Sequence, residues 1–510
     1  MLNILIKYFF LLFLCFILYY IPPKKYRWII LLISSVLYYY LMSHKLIIYV
    51  LISSITIYII GLILNKLNDK KYDEETSALS KQEFKKHIKN YKKLALIIGL
   101  IINIGLLVLL KYSNFLVASV NSIFKTSIMM PFSKIILPVG ISYYTLMAVS
   151  YIVDIYRGSI KPNKNPFKVM LYLMFFPSVY EGPISRYKEI SSKLYDGNNF
   201  DFNRTIKGIL LILFGLFQKM VIADRVALYV NETFGKEASF GVISLLAIIL
   251  YTVQIYAEFK GFIDMARGGA LLFGVDLPIN FKQPFFSKDA NEFWRRWHIT
   301  LGSFLKDYIF YPISLSKANM KLSLFINKHL GKNASKFCMA AFPLFFVWFF
   351  NGLWHGASLK YILYGLYYYV IMMIGLLLEP LFNKIKIKES IKNYIKIFKT
   401  WIIVFVGMTI FRADTFNEAF KFILSVFKKS NESILNFGLS KFDFLIIIIS
   451  IIFSFVIGYK KEKNVDILEK VVSSNTYLKY IIMYILILII IIFGIYGPGY
   501  NAQEFIYGQF

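Results

Sequence analysis

FFVWFFNGLWHGASLKYILYGLYYY (345–369) places one imidazole, His355, among Trp354, Gly356 and aliphatic or aromatic neighbours, between two apolar runs. An ionisable group at such depth is expensive in hydrocarbon and marks a functional site by default. General-base chemistry needs the neutral imidazole, which apolar surroundings favour. The small residues Gly352, Gly356, Ala357 and Ser358 leave room for a substrate or for another helix. A structural histidine satisfied by a neighbouring helix is the competing reading, and burial alone does not separate the two.

Apolar runs of the same kind recur from the first line to the last. Of the 510 residues 58% are hydrophobic, against roughly 45–50% in soluble domains. A bilayer takes about 20 apolar residues per helix. Candidate spans are 2–21, 27–43, 46–65, 95–112, 136–155, 206–223, 240–257, 339–353, 358–379, 397–411, 443–458 and 479–497. The expected fold is therefore all-α, a polytopic transmembrane bundle forming one membrane-embedded domain over 1–510, in the plasma membrane. MLNILIKYFFLLFLCFILYY (1–20) lacks a small-residue cleavage site and runs into a basic flank, so an uncleaved first helix is expected. The polar stretch 65–93 is too short to fold alone, and its lysines favour a cytoplasmic loop. In 161–203 and 275–322 apolar residues alternate with Pro, Arg, Lys, Asn and Trp. Such backbone at membrane depth must be buried in protein or line a wet cavity, and 275–322 reads as an interfacial or re-entrant segment flooring the site.

A net charge of +29 would suggest nucleic acid as partner of a soluble protein. Here the lysines sit between apolar spans, as retention of positive charge on the cytoplasmic side requires, so the bilayer is the partner and nucleic acid is not. Cys15 and Cys338 have neither disulfide nor metal spacing. There is no G-x-S-x-G elbow, no phosphate-cradling glycine loop and no metal-ligand cluster, which disfavours serine-hydrolase, nucleotide and zinc chemistry.

Among the other histidines, His298 stands out in Trp294-Arg295-Arg296-Trp297-His298. Paired guanidiniums suit bidentate capture of a phosphate or carboxylate. A lipid head group would satisfy Arg295 and Arg296 equally well. Asp307 is placed to orient a histidine or to pair with Lys306. His87 and His329 read as solvated and His44 as interfacial.

At these segments the chain resembles the membrane-bound O-acyltransferase family, in the branch of the bacterial alginate O-acetyltransferase membrane subunit and related acetylation proteins. The resemblance rests on LPVGISYYTLMAVSYIVDIYRG (137–158), FFPSVYEGPISRY (175–187), QIYAEFKGFIDMARGGALLFGVDLPINFKQPF (254–285), FWRRWHITLGSFLKDYIFYPI (293–313), GLWHGAS (352–358), FRADTFNEA (411–419) and FIYGQF (505–510), in the family's order. It implies a ring of helices around a funnel or tunnel with re-entrant segments. His355 matches the family's catalytic residue and His298 its second characteristic position. Trp354, Arg295, Arg296, Asp307, Asn280 and Glu258 are the candidate substrate-binding or supporting residues, with helix-to-helix contact as the competing role for Glu258 and Asn280, as for Asp264 and Arg267. The implied activity is acyl transfer, with no bound cofactor or metal. Acetyl-CoA or another acyl thioester is the cytoplasmic donor, and a cell-surface polysaccharide hydroxyl is the acceptor. A separate extracytoplasmic partner of the SGNH type completes the transfer. D-alanyl transfer to teichoic acid from a carrier-protein thioester is the nearest rival, and a non-enzymatic polysaccharide or lipid transporter is the rival of another class. The chain departs from the branch at Glu258-Phe259-Lys260-Gly261, where D-F-S-G is common, and at SLSKANM (314–320), which replaces a GGN-type turn.

Overall fold

Hydrocarbon offers no partner for backbone N–H and C=O groups, so a spanning chain must satisfy them within helices or a closed barrel. The computed structural model describes residues 2–72, 80–129, 137–234, 240–384, 387–430 and 432–496. Among them the regular structure is helical, and the only β pairing is one isolated bridge between Phe281 and Trp297. Nine described helical stretches are long and apolar enough to cross a membrane, and the chain is a multi-pass membrane protein. Their lipid-facing character is visible in Ile448, Ile449 and Ile452 of Lys441–Glu462 and in Leu488, Ile491 and Ile492 of Thr476–Phe493, all of them exposed. Helix starts outside the spans carry side-chain caps: Ser80 with Glu83, Asn165 before Pro166, Thr415 before Glu418 and Ser440 with Asp443. Each cap satisfies N–H groups that a first turn leaves without partners.

Several expected boundaries move. The polar stretch 65–93 is helical up to Asp69 and again from Lys81, because a lysine-rich sequence is as good a helix former as an apolar one; 73–79 lie outside the described residues. The expected span 339–353 is the end of a longer helix, Lys317–His355, interrupted at Gly331 with φ +82°. His329, read as solvated, is exposed on that helix with Nδ1 2.8 Å from the Phe325 carbonyl. The expected span 136–155 is only 16 residues of helix, Ile141–Tyr156. FIYGQF (505–510) lies outside the described residues.

The residues group into two compact units. One comprises 3–208 and 269–278. In it the Ile47–Asp69 helix packs on Lys81–Leu107, Ile141–Tyr156 and Pro166–Met174, around a buried tyrosine cluster of Tyr151, Tyr172 and Tyr187. The other comprises 209–268 and 279 onwards, and contains every candidate site residue.

Two devices organise that second unit. Lys317–His355 and Leu359–Asn383 touch backbone to backbone: a Cβ on Gly352 would fall 2.1 Å from the Tyr361 carbonyl oxygen, and one on Gly365 2.2 Å from that of Trp348. Small residues of this kind let membrane helices approach closely. The second device is a buried charge cluster. The Phe202–Leu216 helix widens into a π-helical turn, Phe217–Ala223, before continuing as Asp224–Phe234. Within the turn Lys219 Nζ lies 2.6 Å from Asp224 and 2.7 Å from Glu258 on the Val242–Leu272 helix, all three buried. Alongside, Gln218 donates to Asp264 at 3.1 Å, and Lys260 also pairs with Asp264.

Gly365→Val should cost about 1–3 kcal/mol by forcing the two backbones apart, read as a lowered melting temperature in detergent. Lys219→Met should cost about 3–5 kcal/mol, because two carboxylates stay buried without their cation. Recovery of monodisperse protein should fall sharply in Lys219→Met, and Lys219→Met/Asp224→Asn/Glu258→Gln should regain most of it.

Candidate active site

The site grows from one short pairing. Residues 280–283 run antiparallel to 296–299, with Ile299 N–H donating to the Asn280 carbonyl at 3.0 Å and Lys282 N–H to the Arg296 carbonyl at 2.9 Å. Two non-glycine residues there adopt the left-handed conformation, Gln283 at φ +44° and His298 at φ +48°. Such geometry costs roughly 1–3 kcal/mol and persists where the surroundings over-determine it. At His298 the surroundings are the Asn280 side chain. Its Oδ1 accepts from the backbone N–H and the hydroxyl of Thr300, both at 3.0 Å, and lies 3.3 Å from His298 Nδ1.

These contacts decide the tautomer. A backbone N–H only donates, so the Asn280 atom facing Thr300 is oxygen, and His298 Nδ1 must carry the proton that points at it. The lone pair is left on Nε2, which has no hydrogen-bond partner among the described residues. The imidazole is 2% exposed. Burial holds it well below the ordinary histidine range, so it is neutral at pH 7.

Its ring meets Phe259 edge-on, with centroids 4.8 Å apart, and Trp354 at 5.5 Å. Trp354 also meets His355, at 5.1 Å. His355 is 3% exposed and ends the Lys317–His355 helix, with Tyr364 at 5.8 Å and Phe411 at 5.3 Å. Phe411 also packs on Tyr361 and Tyr364. Two buried imidazoles 57 positions apart in number thus pack against one indole, His298 also meeting Phe259 and His355 also meeting Tyr364 and Phe411.

The remaining candidates divide. Asn280 belongs to the site as the residue that fixes His298. Glu258 pairs its carboxylate with Lys219, and the next residue, Phe259, packs on His298. Arg296, read as half of an anion fork, is engaged within the protein: it pairs with Glu292 at 2.6 Å and Glu462 at 2.8 Å. Glu462 lies 166 positions away, a partner that reading along the sequence does not reveal. Arg295, the other half, is exposed. Asp307 is half-buried in the π turn Lys306–Phe310. Sequence reading passed over Lys219 and Asp224. Their signal was two charges within or beside an apolar stretch, the pattern that drew attention to His355.

The depressed His298 value has a consequence for stability. On acidification through about pH 6.5 the unfolded chain takes up a proton at this imidazole while the folded chain does not. Stability is therefore lost as pH falls below about 6.5, at a limiting slope near 1.4 kcal/mol per pH unit. The drop in detergent melting temperature between about pH 7.5 and pH 5.5 should be smaller in His298→Gln than in wild type.

The sequence pattern of the membrane-bound O-acyltransferase family matches residues 33–326, more than half of the chain, and ends before His355. The probable alginate O-acetylase of Pseudomonas aeruginosa is 30% identical over 334 residues, 65% of this chain and 60% of that protein. The peptidoglycan O-acetyltransferase of Helicobacter pylori is 33% identical over 303 residues, 54% of each. The teichoic acid D-alanyltransferase of Bacillus subtilis is 28% identical over 246 residues, 46% of this chain and 57% of that protein. The chain spans less than two thirds of the length of each. The pattern over 33–326 settles what the motifs suggested: this multi-pass helical chain belongs to the membrane-bound O-acyltransferase family.

Proposed function

We propose that the protein is an O-acyltransferase that moves an acetyl group from a cytoplasmic thioester, acetyl-CoA, toward hydroxyls of a cell-surface polysaccharide, with a separate extracytoplasmic partner of the SGNH type. The observation that carries this reading is the pair of buried imidazoles, His298 and His355, each packed against Trp354. The relatives named for acetyl transfer to alginate and peptidoglycan support acetyl as the acyl group and a polysaccharide as the acceptor.

His355 acts as general base. It takes the proton of the acceptor hydroxyl as that oxygen attacks the thioester carbonyl carbon. The carbon–sulfur bond then breaks, and the imidazolium returns the proton to the departing thiolate. Protons balance, and the step calls for neither a redox centre nor a metal. His298 positions a reactant through its Nε2 lone pair, which is open to a hydroxyl donor. Trp354 packs against both imidazoles and excludes water. The segment 275–322 floors the site, and the stretch around 65–93 faces the cytoplasm.

The test is ester-linked acetate released by mild alkali from cell-surface polymers, in wild type, a deletion and His355→Ala at matched membrane levels. Acetate should fall in His355→Ala to the level of the deletion, a loss of at least about 100-fold in turnover. Unchanged acetate with lost alanyl esters would move the assignment to D-alanyl transfer. Unchanged esters of both kinds would remove acyl transfer altogether.

A further inference from the structure

One helical turn before His355 stands Asn351, a polar residue that none of the motifs singled out. Its side chain is 5% exposed, and its Oδ1 is enclosed with no hydrogen-bond partner among the described residues. Residues four apart on an α-helix share a face, so Asn351 projects beside His355 rather than toward lipid. Helix packing leaves the amide unsatisfied. The contact with Leu359–Asn383 is made by Gly352 against the Tyr361 carbonyl and by Gly365 against the Trp348 carbonyl. Trp348, one turn earlier, donates its indole N–H to Met372 sulfur at 3.2 Å.

A buried carboxamide without partners is costly, and buried polar atoms are as a rule hydrogen-bonded. Asn351 Oδ1, one turn before His355, and His298 Nε2, whose ring packs on Trp354, are among the enclosed atoms that break the rule. Both are acceptors, so what they lack is a donor. The acyl end of a thioester carries only a carbonyl oxygen and sulfur, and supplies no donor. An alcohol supplies O–H groups, and its lone pairs can in turn receive the Asn351 N–H.

We propose that Asn351 binds the hydroxyl of the acyl acceptor and presents it to His355; this rests on the acyltransferase reading above. The ligand class is a polyhydroxyl compound such as a sugar.

The experiment uses the purified full chain in proteoliposomes, acetyl-CoA as donor and glycerol as the hydroxyl probe, reading free thiol and acetyl-glycerol ester. Asn351→Leu, of nearly the same shape, should raise the KM for glycerol about tenfold, the loss of one hydrogen bond, while the KM for acetyl-CoA stays put. Asn351→Ser, which keeps a hydroxyl, should fall between the two, and it carries the test if Asn351→Leu does not fold. An unmoved glycerol KM overturns the inference, as does a parallel rise in both KM values. Thioester cleavage that ignores glycerol in the wild type overturns the inference and leaves acyl transfer standing. Absence of thiol release from the wild type defeats the acyltransferase reading, and the inference with it.

Discussion

A polar group in hydrocarbon must find its partner inside the protein, and nearly every decision in this molecule follows from that constraint. It makes the described chain helical and places capping side chains at helix starts outside the spans. It also explains why Lys219 does not stand alone. Removing an ammonium from water costs several kcal/mol, and the two carboxylates at 2.6 and 2.7 Å offset that cost while joining the 202–234 stretch to the Val242–Leu272 helix. Charge in this unit therefore works as a fastener between helices. Phe259, the residue after Glu258 of that cluster, packs on the ring of His298.

The site is the place where the constraint is relaxed. One carboxamide oxygen, that of Asn280, holds a strained backbone at His298, assigns its tautomer and leaves one nitrogen open. In the same unit, the glycine contacts at Gly352 and Gly365 seat the helix end that bears Trp354 and His355. Rigid backbone and unsatisfied side-chain atoms thus occur together, the combination expected where binding energy is to be spent on a ligand and not on reorganisation.

How much of this the amino-acid order discloses depends on the range of the interaction. His298 and His355 are legible because each stands out against its immediate neighbours, and the shared indole follows once both segments are placed. The helical class and most spans are legible for the same reason, since hydropathy is a local property. Arg296 misleads because its partner Glu462 is supplied by a distant helix. Lys219 is overlooked because the residue that makes it tolerable, Glu258, lies 39 positions on. Boundaries shift where lysine-rich helix continues past the apolar run, as at Lys81, because helix propensity does not depend on hydropathy.

The π turn at Phe217–Ala223 has a consequence for how the gene can vary. A π bulge is a helix carrying one residue more than its hydrogen-bond ladder needs. Elsewhere in the 202–234 stretch, losing a residue would rotate everything beyond it by about 100° and turn a packed face toward lipid. Inside the bulge the surplus residue can be absorbed, and both flanking faces keep their register. Length variation along this span is therefore tolerated at one place, beside the lysine that fastens it.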